Sequence, residues 1–288
     1  MKILVTGRTG QLARCLAQIA WDAPGVEVVT VGRPQFDLLD AASIARTFLA
    51  VQPDLVVSAA AYTAVDKAES EEEEAFAVNA TGAGLVAEAA FRHAIPIIHI
   101  STDYVFNGDK GAPYEERDPV DPLNVYGRTK LEGEFRVASA NDRHVILRTA
   151  WAYSPFGRNF VRTMLDLAAN REHINVVADR FGSPTSMLDL GGAILAAARN
   201  LEPGKYGIYH LAGKGRTNWA DLAREVMEAS RELGGPHAEI IGIAASDYPT
   251  PAVRPVDSSL SCALFERKFG WIMPNWHHSV RNVVEQLV

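Results

Sequence analysis

The chain has 288 residues, of which 48% are hydrophobic and 22% charged, so it can bury one large core or a core and a smaller lobe. Its formal net charge of -7 argues against a general nucleic-acid-binding protein, because such proteins carry a basic excess that neutralises phosphate. No stretch reaches the roughly 18 uninterrupted apolar residues of a membrane-spanning helix, and the first residues turn polar before a signal-peptide core could form. We therefore expect a cytoplasmic protein with no membrane partner.

Short β-rich runs alternate with alanine-rich helical runs in the first half of the chain. Strands are predicted at "KILVTG", "VEVVTVG", "DLVVSAAA" and "PIIHIS", and helices at "QLARCLAQIAW", "AASIARTFLAV" and "EEAFAVNATGAGLVAEAAFRHA". This alternation predicts a parallel sheet with helices on both faces, and the strands are apolar on both sides as a covered sheet requires. The predicted fold class is therefore α/β, with a doubly wound parallel sheet of the Rossmann type.

The pattern of the second half is mixed. A helix at "VYGRTKLEGEFRVAS" and a strand at "HVILRTAWAY" continue the first domain, and further strands and helices follow without a long linker. One of these helices, "NWADLAREVMEASREL", has Asn218 as its expected N-cap, and another is expected around "HHSVRNVVEQL". We predict a sheet domain at residues 1–150 with a later return at about 185–202. Residues 151–184 and 203–288 are predicted to form mainly a smaller mixed α/β C-terminal lobe.

A glycine turn follows the first predicted strand and opens the first predicted helix. Gly7 and Gly10 form a G-x-x-G pattern, with the small residue Ala13 where a helix and a strand would pack closely. Such a turn leaves backbone N–H groups free at the positive end of the helix, where a pyrophosphate can bind. The motif favours a dinucleotide site over a tight turn without a ligand.

The end of the second predicted strand bears on the choice of cofactor. An acidic residue there would hydrogen-bond an adenosine 2′-hydroxyl, but the sequence has Gly32 and Arg33. An arginine can instead meet a 2′-phosphate, although a surface arginine with no role explains Arg33 equally well. The predicted cofactor is NADPH or NADH, and the sequence does not choose between them.

Tyr126 and Lys130 are four residues apart in a predicted helix and therefore lie on one side of it. A neighbouring ammonium and a positively charged nicotinamide ring would lower the tyrosine pKa from about 10 toward neutrality. Taken alone, the pair is better explained by a half-buried tyrosine beside a solvated lysine. It gains weight from Thr102, with Asp103 and Tyr104, after the strand that should end at the cofactor crevice.

The glycine turn, the hydroxyl donor and the Tyr-x-x-x-Lys pair, in this order, resemble the extended short-chain dehydrogenase/reductases. The segments "AAYTAVDKAE", "STDYVF", "NVYGRTKLEGE", "RTAWAY" and "YPTPAVRP" resemble, within them, the dTDP-4-dehydrorhamnose reductase family. The resemblance runs nearly from end to end. It implies reduction of the C4 keto group of a dTDP-linked 4-keto-6-deoxy sugar by NADPH or NADH, giving dTDP-L-rhamnose.

The resemblance also implies roles for individual residues. Tyr126 would protonate the keto oxygen, Lys130 would lower the tyrosine pKa and hydrogen-bond the nicotinamide ribose, and Thr102 would donate to the same keto oxygen. The other implied cofactor residues are Gly7, Gly10, Gln11 and Leu12 at the pyrophosphate, Asp37 and Leu38 at the adenine, and Ala59, Ala60, Ala61 and Tyr62 along the channel. The implied substrate residues are Asp103, Tyr104 and Trp151 at the deoxysugar, and Asn159 and Arg254 at the diphosphate.

The sequence departs from the family at a position that concerns metal binding. Some members dimerise through magnesium held partly by an acidic residue in the first helix, where this chain has Cys15, a poor ligand for a hard cation. The acidic run Glu71 to Glu74 is explained by a helix start, and the cysteines and histidines show no metal-ligand spacing. We expect no metal site, and a possible homodimer would not be bridged by magnesium.

Two other functions fit the same sequence. One is a sugar-nucleotide epimerase or dehydratase of the same superfamily, which would retain its nicotinamide between turnovers. The other is a non-catalytic regulatory subunit that binds the dinucleotide, and the presence of Thr102, Tyr126 and Lys130 argues against it.

Overall fold

The computed structural model describes residues 1–288. Its strands are β1 (Lys2–Thr6), β2 (Glu27–Val31), β3 (Leu55–Ser58), β4 (Ile97–Thr102), β5 (His144–Thr149), β6 (Ala152–Tyr153), β7 (His173–Val177), β8 (Phe181–Gly182), β9 (Thr185–Ser186), β10 (Gly207–His210), β11 (Thr217–Asn218) and β12 (Glu239–Ile243). Its α-helices are α1 (Gln11–Trp21), α2 (Ala41–Val51), α3 (Val65–Ala68), α4 (Glu72–Phe76), α5 (Ala83–Arg92), α6 (Val125–Ala140), α7 (Phe160–Ala168), α8 (Met187–Arg199), α9 (Trp219–Glu232), α10 (Ala263–Phe269) and α11 (Trp276–Glu285). Helices α4 and α5 are joined by a π-helical segment, Ala77–Gly82.

A six-stranded sheet forms the centre of the molecule, with the strand order β10-β5-β4-β3-β1-β2. Each neighbouring pair in it is parallel. Alternate residues of a strand face opposite sides, so Ile3 and Val5 pack into one core cluster while Leu4 packs into another. The predicted doubly wound parallel sheet, covered on both faces, is confirmed.

A second apolar core lies outside this sheet. It gathers buried residues of α7, α9 and α11, such as Val161, Val226 and Val283, and of the parallel pair β7 and β12. Asn218 is the N-cap of α9, as predicted, because its Oδ1 accepts a hydrogen bond of 2.9 Å from the backbone N–H of Asp221. This part of the chain is the mixed α/β region that the sequence indicates.

Two segments within residues 203–288 lie with the sheet instead of the second core. Strand β10 pairs with β5 at the edge of the sheet, and its Tyr209 packs on Phe265 and Phe269 of α10. The reason is that β10 follows α8, which packs against α1 on one face of the sheet, and a strand after such a helix extends the sheet. The exact domain boundaries remain a prediction.

None of the helices has the length and apolar character to cross a membrane.

Candidate active site

The glycine turn lies where β1 ends and α1 begins. Gly7 has a φ of +92°, and a Cβ added to it would lie 3.3 Å from the Cα atom of Ala60. Gly10 is the N-cap of α1 and offers no side-chain cap, so the first N–H groups of this helix remain available to an anion. The conformation and the close approach both explain why Gly7 is a glycine.

A cavity of about 400 Å³ opens beside this turn. Six of the predicted cofactor residues line it: Gly7, Arg33, Leu38, Ala60, Ala61 and Tyr62. Six further residues line the cavity without having been predicted as cofactor residues: Arg8, Thr9, Gly32, Phe36, Glu74 and Val78. Arg8 and Thr9 lie inside the glycine motif and could have been found there, whereas Phe36, Glu74 and Val78 are brought in by folding.

Asp37 and Leu12, also predicted to bind the cofactor, do not line this cavity. Asp37 pairs with Arg33 at 3.2 Å, and its Oδ1 accepts from the backbone N–H of Leu39. Arg33 is 64% exposed and free to turn toward a ligand. The side chain of Leu12 is buried in the core, so this residue offers a ligand only its backbone.

Two further predicted residues help to shape the channel. The Oε1 atom of Gln11 accepts a hydrogen bond of 2.9 Å from the Oγ atom of Ser154, which joins the start of α1 to the loop after β6. The backbone N–H groups of Ala59 and Ala60 donate to Oγ1 of Thr6, at 3.0 and 2.9 Å. These bonds fix the end of β3 against the glycine turn.

Thr102, Tyr126 and Lys130 meet at the carboxyl end of β4. Thr102 is the last residue of β4, and helix α6 begins beside it with Asn124 as its N-cap, accepting from the backbone N–H of Gly127 at 2.8 Å. A Cβ on Gly127 would lie 2.2 Å from the backbone oxygen of Tyr104, so a glycine is needed for α6 to approach this closely. The helix then carries Tyr126 and Lys130 on the side that faces the strand.

Burial, and not the lysine, dominates the titration of these groups. Burial raises the pKa of Tyr126 to about 12, against a lowering by its hydrogen bond with Thr102. The Nζ atom of Lys130 donates to the backbone oxygen of Ile100 at 2.6 Å, and burial lowers the pKa of Lys130 to about 8. In the protein without ligand, Tyr126 is therefore a neutral phenol. The lower tyrosine pKa expected beside a positively charged nicotinamide ring stays a prediction.

Asp103 is enclosed by hydroxyl groups. It is 2% exposed; Oγ1 of Thr102 lies 3.1 Å from its Oδ1, and Oγ of Ser258 donates to its Oδ2 at 2.5 Å. Both carboxylate oxygens thus have a hydroxyl partner within the protein, and the contact of Asp103 with a sugar stays a prediction. Ser258, 155 residues away in sequence, is a neighbour that sequence reasoning missed.

A buried ion pair joins α6 to strand β5 of the sheet. Arg148 of β5 binds Glu134 in a two-pronged arrangement, with Nε–Oε1 and Nη2–Oε2 distances of 2.9 and 2.7 Å, and both side chains are less than 5% exposed. Oγ of Ser101 donates to the same carboxylate. Because Glu134 is one helical turn after Lys130, this pair holds the helix against β4 and β5.

Aromatic rings pack in pairs beyond the carboxyl ends of β4 and β5. Trp151 has a φ of 45° and stacks on Trp219, the first residue of α9, with ring centroids 3.6 Å apart. A Cβ on Gly182 would lie 2.5 Å from the Trp151 ring. The rings of Tyr104 and Tyr126 meet edge to face at 5.9 Å. Trp151 is therefore placed by a packing partner, Trp219, that the sequence did not reveal.

The two predicted diphosphate residues differ. Arg254 forms a two-pronged ion pair with Asp66, at 2.8 and 3.0 Å, and its hydrogen bonds hold the Asp66 pKa below its usual value. Asn159 caps α7 through the backbone N–H of Arg162, and its Nδ2 donates to the backbone oxygen of Ser154. Asn159 thus caps a helix in this conformation. Arg254 is 28% exposed, and its partner Asp66 is 40% exposed, so solvent reaches this ion pair.

Comparison with known proteins agrees with this architecture. The family described as RmlD substrate binding domain matches residues 1–288. The dTDP-4-dehydrorhamnose reductase of Sinorhizobium fredii is 49% identical over 292 residues, covering 100% of this chain and 98% of the relative. The chain belongs to the dTDP-4-dehydrorhamnose reductase family. The Escherichia coli K12 member is 40% identical, over 100% of this chain and 98% of its own length.

Solved structures of the family share the whole fold. The dTDP-4-dehydrorhamnose reductase of Clostridium acetobutylicum superposes with a TM-score of 0.93 at 36% identity, covering 100% of this chain and 99% of its own. That of Bacillus anthracis, determined in complex with NADP, gives 0.92 at 30% identity, with 99% of each chain covered. A Bifidobacterium longum UDP-glucose 4-epimerase gives 0.84 at 16% identity, which shows the common fold alone.

Proposed function

We propose that the chain reduces the C4 keto group of dTDP-4-dehydro-L-rhamnose with NADPH or NADH, giving dTDP-L-rhamnose. The observation that carries the proposal is the meeting of Thr102, Tyr126 and Lys130 at the end of β4, within a chain of this family. A complex with NADP in the Bacillus anthracis relative supports the choice of cofactor. A dTDP-linked sugar is the substrate implied by the family.

The residues around the glycine turn fit a dinucleotide. The unoccupied first N–H groups of α1 suit a pyrophosphate, and the glycine at position 7 lets the turn pack closely on Ala60. Arg33, exposed at the mouth of the cavity, would favour a 2′-phosphate and hence NADPH. When bound, the reduced nicotinamide supplies the hydride to C4.

The chain's own residues would handle the proton. Tyr126 is neutral over the working pH range, because burial raises its pKa to about 12, and it would donate its proton to the keto oxygen. Thr102 would donate a second hydrogen bond to the same oxygen. Lys130 is held by the backbone oxygen of Ile100 and would turn its remaining N–H groups to the nicotinamide ribose.

The second part of the chain would bind the sugar nucleotide. Trp151 and Tyr104 present ring surfaces to the deoxysugar, and Arg254 suits the diphosphate because its guanidinium pairs with phosphate oxygens in a fixed fork. We assign cofactor binding mainly to residues 1–150 with 185–202, and substrate binding mainly to 151–184 and 203–288. The cytoplasm is the proposed location.

The Tyr126→Phe variant tests the proton donor. We expect kcat to fall by roughly 10²- to 10⁴-fold, the usual contribution of a positioned general acid, with the fold intact. The assay follows NADPH absorbance with dTDP-4-dehydro-L-rhamnose, and NMR of the product checks the configuration at C4. Turnover near the wild-type value would remove Tyr126 from this role, and interconversion of sugars without net NADPH oxidation would point to an epimerase.

A further inference from the structure

Asn124 joins the start of the helix that carries Tyr126 to a distant loop. Its Oδ1 accepts from the backbone N–H of Gly127 at 2.8 Å, and its Nδ2 donates to the backbone oxygen of Val253, also at 2.8 Å. These partners fix the orientation of the carboxamide, because one is a donor and the other an acceptor. The side chain is 1% exposed. A single buried amide therefore connects two parts of the chain that are 129 positions apart.

The loop at residues 249–254 has few other connections. Its backbone makes two hydrogen bonds to the rest of the chain, one from Asn124 to Val253 and one from the N–H of Ala252 to Oδ1 of Asp66 at 3.2 Å. Asp66 is also the ion-pair partner of Arg254, which the proposed function turns at least in part toward a phosphate. The bond from Asn124 goes to the backbone, so it does not depend on where the Arg254 side chain points.

We propose that Asn124 is a positioning residue that holds this loop in place, so that Arg254 reaches the diphosphate of the sugar nucleotide while Tyr126 reaches its keto group. Asn124 acts through the backbone of Val253 and Gly127 and not by contact with the ligand. The inference rests on the proposed function, because that function gives Arg254 a phosphate and Tyr126 a keto oxygen.

The chemistry of the substrate gives the link its purpose. The diphosphate and the keto group belong to one molecule, so the loop and the first turn of α6 must stay within the reach of that molecule. The first turn of a helix has free N–H groups and frays unless it is capped. Glu69 also holds this turn, by accepting from the backbone N–H of Val125 at 2.8 Å, but it has no bond to the loop. Asn124 holds both.

The Asn124→Ser variant separates the two bonds. Serine is an N-cap as good as asparagine, so the helix start is kept, whereas the shorter side chain cannot also reach Val253. We expect KM for dTDP-4-dehydro-L-rhamnose to rise roughly 2- to 10-fold, as the loss of one neutral hydrogen bond predicts. The change in kcat should be smaller, because the diphosphate is bound alike in the ground state and the transition state.

Two further variants frame this result. Asn124→Ala removes both bonds, so kcat should also fall, because Tyr126 lies in the turn that has lost its cap. Asn275→Ser is the matched control: Asn275 caps α11 by accepting from the backbone N–H of His277, and its replacement should leave KM unchanged. A wild-type KM in Asn124→Ser, or an equal rise in Asn275→Ser, would overturn the inference.

A double variant tests whether Asn124 acts through Arg254. Once Arg254→Ala has removed the guanidinium, the loop has none to present, so adding Asn124→Ser should raise KM little further. A merely structural loss would act independently of the arginine. Two increases in KM that multiply in the double variant would therefore contradict the proposed arrangement.

Hydrogen exchange in the ligand-free protein separates this inference from the proposed function. In Asn124→Ser, the amide of Ala252 should exchange roughly 2- to 10-fold faster, because the loop opens more often, while the amide of Gly127 keeps its rate. In Asn124→Ala, both amides should exchange faster. If Ala252 exchanges at the wild-type rate in Asn124→Ser, the inference fails whatever the enzyme reduces. If the rates follow this pattern but no dTDP-4-keto sugar is reduced, the proposed function fails instead.

Discussion

The two halves of the active site are built in different ways. The cofactor half consists largely of backbone and small residues within the first 80 residues, among which Gly7, before the start of α1, packs on Ala60. The substrate half consists of side chains that are paired over longer stretches of the chain, such as Arg254 with Asp66, 188 residues apart. The first half therefore depends on close backbone packing around a local glycine motif, and the second on side-chain pairs that only the folded chain brings together.

This difference has a consequence for ligand binding. The N–H groups at the start of α1 have no protein acceptor to give up, so the cofactor half is already arranged for its ligand. In the proposed function, Arg254 turns at least in part from Asp66 toward a phosphate. The substrate half would then exchange one set of contacts for another, and removing the competing carboxylate of Asp66 should not weaken binding of the sugar nucleotide.

The largest expected effect is on stability, and it concerns the buried ion pair of Glu134 and Arg148. Arg148→Met leaves the Glu134 carboxylate buried without its counter-ion, so we expect the free energy of unfolding to fall by about 3–5 kcal/mol. Denaturant unfolding measures the loss. The double variant Glu134→Leu with Arg148→Met should recover much of it, because a well-packed apolar pair avoids the unpaired charge. A loss below about 1 kcal/mol in the single variant would mean that water reaches Glu134 and that the pair behaves as an exposed one.

The next prediction separates the halves by ligand. Arg254→Ala should raise KM for the sugar nucleotide by roughly 10- to 100-fold, as loss of a charged hydrogen bond predicts, with a smaller change in kcat. The dissociation constant of NADPH, measured by fluorescence titration, should not change. Asp66→Asn is the matched control: it removes the competing carboxylate, so KM should stay the same or fall. A KM that rises equally in both variants would show that the ion pair holds the loop and does not serve the phosphate.

Sequence reasoning succeeded where the relevant partners are neighbours in the chain. The doubly wound sheet followed from alternating apolar runs, and the shared side of Tyr126 and Lys130 followed from helical spacing. Their titration did not follow, because spacing gives proximity but not burial, and burial dominates the pKa of both groups. The pairs of Asp103 with Ser258 and of Trp151 with Trp219 were invisible for a different reason: no local pattern links residues that are 155 or 68 positions apart.

A third prediction perturbs the substrate half through its packing. A Cβ on Gly182 would lie 2.5 Å from the ring of Trp151, so Gly182→Ala must displace this ring from its stack on Trp219. We expect overpacking to cost about 1–3 kcal/mol of stability and KM for the sugar nucleotide to rise, with NADPH binding unchanged. Gly192→Ala, where the ring of Trp271 would be 3.3 Å away, is a control outside the site. A higher KM in both variants would indicate a general loss of rigidity.

The smallest expected effect is that of removing metal ions. In a magnesium-bridged dimer, each chain would contribute ligands to an ion that it shares with its partner. The family resemblance places one of these ligands at the position of Cys15. The structure puts the Cys15 side chain in the sheet core at 0% exposed, and burial raises its thiol pKa to about 12. Magnesium needs oxygen ligands, so a buried neutral thiol cannot contribute one to a partner.

We therefore expect that EDTA changes neither the molecular mass measured by light scattering nor the rate of NADPH oxidation. The physical reason is that a symmetric interface loses the same ligand from both subunits, and no group of three or more His, Cys, Asp or Glu side chains in the chain is arranged to hold a metal ion. A dimer, if one forms, would rest on direct contacts between the chains and would dissociate on dilution at the same concentration with or without magnesium. Conversion of a dimer to monomers by EDTA, with recovery on adding magnesium, would mean that carboxylates from two subunits combine to form a site that neither contains alone.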